Sequence, residues 1–136
     1  MKRVAVLVAV SFLAVGCPGD GTEIPSMMGG PSGPSLAELQ ASIFTPFCAP
    51  CHQPGGIGPM PLDNEAATFV NLVNADSIEI PGLPRVDPGR PDNSYLVWKI
   101  EGRPGIVGGQ MPLGGPMLNQ DQIDNIITWV LDGALP

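Results

Sequence analysis

The residues of this 136-residue chain best equipped for chemistry stand in one pentapeptide, Cys48-Ala49-Pro50-Cys51-His52. Two thiols lie on one turn of backbone, and an imidazole directly follows the second. Each thiol can add to a vinyl group of a haem and form a thioether, and the next residue then turns its imidazole toward the iron. A C-x-x-C pair can also be a thioredoxin-like redox centre, but no βαβ pattern surrounds this one. Structural zinc usually takes four Cys or His ligands. The chain offers Cys17, Cys48, Cys51 and His52, and Cys17 is far from the rest. A plain disulfide leaves His52 without a role. One covalent haem c, held by Cys48, Cys51 and His52, uses all three side chains. A haem-free binding module stapled by a disulfide or zinc is the rival reading.

His52 is the only histidine, so two imidazoles from one chain cannot bind the same iron. The sixth position falls to Met, Lys, water or nothing. Lys99 is read as a solvated residue on a short helix. Among Met60, Met111 and Met117, the expected ligand is Met111, within Gly108-Gly109-Gln110-Met111-Pro112-Leu113-Gly114-Gly115. Glycines on both sides let backbone approach a flat ring without Cβ clashes. Met60, eight residues beyond His52, is expected to pack on the ring edge, and Met117 is the second choice. The expected metal ligands are therefore His52 and Met111, and no catalytic residue is expected.

The elements that must position these groups are helical. Ser35-Leu36-Ala37-Glu38 reads as a capping box, and Leu36, Leu39, Ile43 and Phe47 follow at helical spacing. A second helix is expected over Glu65 to Val73, with Ala66, Phe69, Val70 and Val73 on one face. A third is expected from Ser94 to about Glu101, started by Pro91-Asp92-Asn93 and ended by Gly102. Asn119 with Gln122 makes another capping box, before an apolar stripe of Ile123, Ile126, Ile127, Val130 and Leu131, and Gly133 stops that helix. No segment alternates as a strand does. The expectation is an all-α domain of about four short helices, with Pro/Gly-rich loops long enough to wrap something.

The chain ahead of this domain reads as targeting and tether. Lys2 and Arg3 precede an apolar run from Val4 to Val15, shorter than the roughly 20 residues a spanning helix needs but fitting a secretory signal over residues 1–16. Leu13-Ala14-Val15-Gly16-Cys17 resembles a lipobox, with Cys17 the acylated residue. Residues 17–35 are the expected Gly/Pro/Ser tether. A flexible chain of this length has an end-to-end distance on the order of 20–25 Å, and residues 36–136 form the domain. With 13 acidic against 6 basic residues, the chain has no basic patch for phosphates, which disfavours nucleic acid. Its acidity suits transient docking to a partner with a basic patch.

Residues 36–134 resemble a small class I-type cytochrome c domain of the kind exported by bacteria. The matching motifs are the helix ending in Cys48-Ala49-Pro50-Cys51-His52, the Met111-Pro112-Leu113-Gly114-Gly115 loop and the closing helix. Asp87-Pro88-Gly89-Arg90-Pro91-Asp92-Asn93-Ser94-Tyr95-Leu96 also resembles a loop-to-helix segment of that group. The resemblance implies a cytochrome c-like fold, His/Met ligation and one-electron transfer rather than enzymatic turnover. It further implies crossed first and last helices with an aromatic pair between them, roles that Phe44 and Trp129 fit. Redox proteins outside the cytoplasmic membrane are the implied partners, with the lipid anchor as membrane contact. Arg85, Arg90, Arg103 and the Trp98 indole are the candidate propionate donors. If Met111 does not bind, the rival is an open-site haem protein, a ligand sensor or peroxidase-like.

Overall fold

The computed structural model describes residues 33–136. The expected signal, Cys17 and most of the tether lie outside them. Among the described residues the fold is all-α, with two isolated bridges and no strand. No helix there is long and apolar enough to cross a membrane.

Helix α1 (Leu36–Leu39) starts at Ser35, whose Oγ accepts from the Glu38 N–H while the Glu38 carboxylate accepts from the Ser35 N–H at 2.8 Å. It runs directly into a π-helix, Gln40–Cys48. Pro46 explains the change. It has no N–H to offer the Ser42 carbonyl, and its ring crowds that carbonyl in an α-helix; a wider turn relieves both. The turn closes with Ala49 N–H on the Phe44 carbonyl, five residues back, at 2.8 Å. The widened turn also moves the apolar register. Leu36, Leu39, Ile43 and Phe44 are buried, whereas Phe47, expected on that stripe, is half-buried.

Helix α2 (Glu65–Leu72) is capped by Asn64, whose side chain accepts from Ala67 N–H at 3.0 Å. Its inward face is shifted from the expected one, although Phe69 and Val73 pack half-buried against the core as expected. Thr68 and Leu72 are buried, while Ala66 and Val70 are exposed. Polar pairing decides this orientation. Thr68 Oγ1 donates to Gln40 Oε1 at 2.7 Å, and Gln40 Nε2 donates to the Leu62 carbonyl at 3.0 Å. A buried amide left unpaired would cost about 1–3 kcal/mol, enough to outweigh the exposure of one valine.

A 3₁₀ turn (Pro91–Asn93) leads into α3 (Tyr95–Glu101), which Gly102 ends in the left-handed conformation at φ 69°. Helix α4 (Gln120–Leu131) opens on the expected Asn119/Gln122 capping box. It buries Ile123, Ile126, Trp129 and Val130; Leu131, expected on the stripe, faces outward. The π-helix and α4 meet through Phe44 and Trp129, whose rings pack edge to face with centroids 6.5 Å apart. The Trp129 indole N–H donates to the Leu135 carbonyl at 2.8 Å. Phe44 is fully buried at this junction. Phe44→Ala is expected to cost about 3–5 kcal/mol, read as a lower urea midpoint in chemical denaturation. A loss under 1 kcal/mol would mean that the two elements are held elsewhere.

Candidate functional site

A cavity of about 340 Å³ lies between the pentapeptide, the loop that follows it, α3 and the segment before α4. That volume is within the usual range for a small-molecule site. Cys48, Cys51, His52, Met60 and Met111 all line it. Leu62, Leu72, Leu96, Ile100 and Leu118 make much of the remaining wall apolar. Ile57, Ile78 and Leu113, each more than half exposed, reach from this wall to solvent.

The π-helix delivers Cys48 as its last residue. The backbone then turns tightly, with the N–H groups of Cys51 and His52 both donating to the Cys48 carbonyl, at 3.2 and 2.9 Å. Cys48 and Cys51 are free thiols. Burial, helped by the neighbouring Cys51, pushes the Cys48 thiol up to about 12, so it is protonated at neutral pH.

His52 is held from behind. Its Nδ1 lies 3.3 Å from the Met60 carbonyl. With Nδ1–H donating there, Nε2 is the nitrogen with a free lone pair. Burial pushes the His52 pKa down, the Met60 carbonyl opposes this, and the Lys99 charge adds to the depression. The ring is therefore neutral near pH 7, the state a metal ligand needs. Gly58 makes the fit possible: a Cβ there would come within 2.4 Å of Nδ1. The Gly58 N–H donates to the Cys51 carbonyl, and the Leu62 N–H to that of His52. The loop after the pentapeptide thus folds back against the imidazole.

The methionines separate clearly. Met111 lines the cavity, with its N–H on the Lys99 carbonyl at 2.8 Å. Met60 lines it too and supplies the carbonyl that orients His52. Met117 is half exposed and is not part of the wall.

Lys99 corrects the expectation of a solvated residue. It is buried and lines the cavity, with Nζ 3.1 Å from Glu79 Oε2 and 2.7 Å from the Val107 carbonyl. Glu79 also accepts from the Tyr95 hydroxyl at 2.5 Å. Burial alone would push the Glu79 carboxyl up, but the bonds from Tyr95 and Lys99 outweigh it and hold it below the usual carboxylate range. Sequence reasoning missed this cluster. The available signal was Tyr95 and Lys99 one turn apart on α3; their acidic partner lies in a loop 16 residues before Tyr95. Of the four candidate propionate donors, Arg85 lines the cavity, with Nη1 on the Asn71 carbonyl at 2.7 Å. Arg90 pairs with Asp87, Arg103 with Asp92 and Glu101, and the Trp98 indole donates to the Asp92 carbonyl.

Among the described residues no three His, Cys, Asp or Glu side chains gather to hold a bare metal ion. What the site presents is a pair of thiols, one neutral imidazole and two thioethers on a largely apolar cavity. Compared with protein-family models, curated proteins and solved structures, the chain matches none.

Proposed function

We propose that the protein is a one-electron carrier of cytochrome c-like architecture, holding one haem c covalently through Cys48 and Cys51, with His52 and Met111 as axial ligands. In this reading it is exported, anchored through acylated Cys17, and exchanges electrons with proteins outside the cytoplasmic membrane. The observation that carries it is the meeting of Cys48, Cys51, His52 and Met111 on one apolar cavity, although Met111 lies 59 positions beyond His52. The edge-to-face contact of Phe44 with Trp129 supports the same architecture.

The residues suit the group chemically. Two thiols can each add across a vinyl bond, with sulfur joining one carbon and hydrogen the other. The neutral His52 ring offers Nε2 while Met60 holds Nδ1. Met111 offers a soft thioether, which favours the reduced metal relative to a second imidazole. Bound there, the group supplies a one-electron iron couple. The chain's own contribution is to fix both ligand-bearing segments, so that little needs to rearrange between redox states. Its apolar walls limit water. Arg85 can face an acidic substituent, because a buried carboxylate needs a donor.

The test is the intact mass and absorption spectrum of the protein exported from cells able to attach haem. The expected results are one haem per chain surviving denaturation, a far-red sulfur-to-iron charge-transfer band in the oxidised state, and slow, weak binding of CO once reduced. Bare polypeptide mass, apart from any acyl chains, would overturn the reading. Rapid CO binding without the far-red band would replace it with an open-site haem protein.

A further inference from the structure

Segment 103–117 carries Met111 and contains no helix. It also contains Gly105 and Gly108 at positive φ, and glycines there make a loop costly to order. We propose that Glu79, Tyr95 and Lys99 form a clasp that holds this segment against α3 and thereby positions Met111; the ligand half of this inference rests on the function proposed above.

The geometry is specific. Both backbone polar groups of Val107 are taken by side chains one turn apart on α3. The Val107 N–H donates to the Tyr95 hydroxyl at 3.0 Å, and the Val107 carbonyl accepts from Lys99 Nζ at 2.7 Å. Glu79 Oε2 accepts from the same hydroxyl and the same ammonium, at 2.5 and 3.1 Å, so each donor is fixed by a shared carboxylate. Four residues further on, the Met111 N–H sits on the Lys99 carbonyl at 2.8 Å, and Gln110 Nε2 on the Ile100 carbonyl at 2.7 Å. Helix α3 therefore grips the segment at Val107, from both its turns, and again at Gln110 and Met111 from its last.

A buried ammonium is costly unless well paired. Here its partners are the carboxylate that locks Tyr95 and the carbonyl of the segment to be held. Lys99, Tyr95 and Glu79 act on Met111 only through backbone, so they are positioning residues. Phe44 and Trp129 belong to a separate contact, between the π-helix and α4. Weakening the clasp should free the segment and leave that junction intact.

The experiment measures amide hydrogen exchange and cyanide binding to the oxidised exported protein, for wild type, Tyr95→Phe and Glu79→Gln. Ile123→Val, on α4, serves as a core-destabilised control. The clasp predicts at least tenfold faster exchange across 105–111 in both variants, with the π-helix and α4 unchanged. It also predicts cyanide displacing Met111 about tenfold faster, while Ile123→Val leaves that rate within twofold of wild type. Unchanged exchange across 105–111, or a uniform rise over the whole domain, overturns the clasp. Faster exchange with an unchanged cyanide rate overturns its role in positioning Met111. A wild type of bare polypeptide mass defeats the function and the ligand half of the inference together, while exchange still decides whether the clasp holds the segment.

Discussion

Under the proposed function, Cys48→Ala/Cys51→Ala is expected to leave no covalent hold on a haem, so that none survives denaturation. Haem staining of a denaturing gel should fall from one equivalent per chain to none, because in that reading His52 and Met111 would hold iron only while the fold places them. Either single variant retains one thiol and should keep a weaker, one-armed attachment. The double variant should also lose structure. An unfilled apolar cavity costs about 24 cal/mol per Å³, so about 340 Å³ corresponds to an upper bound on the order of 8 kcal/mol. Water entering through the mouth reduces that figure. It still compares with the roughly 5–15 kcal/mol that stabilises a whole small domain. Reduced helical circular dichroism and rapid proteolysis are the expected signs. Full haem staining in the double variant would place the attachment elsewhere and sink the assignment.

Met111→Ala should lose the far-red sulfur-to-iron charge-transfer band altogether while keeping covalent haem. Without the thioether the reduced state loses a favourable ligand, and the potential should drop on the order of 100 mV, a modest part of the ~0.8 V range that axial ligands span. Cyanide and CO should then bind rapidly. Titration of the exported variant against redox mediators, with the spectrum recorded alongside, reads both effects. A variant that keeps band and potential would transfer the role to Met60, the other methionine on the cavity. Met117 is the poorer substitute, being outside the wall.

Much of this was legible in the chain itself. The capping boxes at Ser35/Glu38 and Asn119/Gln122 form as read, because each is a contact between residues three apart. The left-handed stop at Gly102 is equally local. The all-α class followed from helical spacing of apolar residues and the absence of alternation. Cys48, Cys51 and His52 were legible as a group because their spacing alone puts them on one turn.

Other features needed neighbours distant in sequence. On α2 the expected stripe is rotated, with Ala66 and Val70 outward and Thr68 inward on its bond to Gln40. Lys99 reads like any helix-end lysine until Glu79 and Val107 are placed beside it. The shift from Phe47 to Phe44 depends on how far Pro46 widens the helix. Met111 and Met117 both follow glycine-rich stretches, yet only Met111 is seated on α3 by the Lys99 carbonyl.

Local order here was a property of the sequence: caps, stops, helical class and the paired thiols with their imidazole arise within a turn or two of backbone. Tertiary structure decided which faces were buried, which charge was taken from water, and which methionines reached the cavity. Burial depends on the surface a segment meets. Hydrophobic period describes one segment's pattern but carries no information about the polar groups and volumes on the segment packed against it.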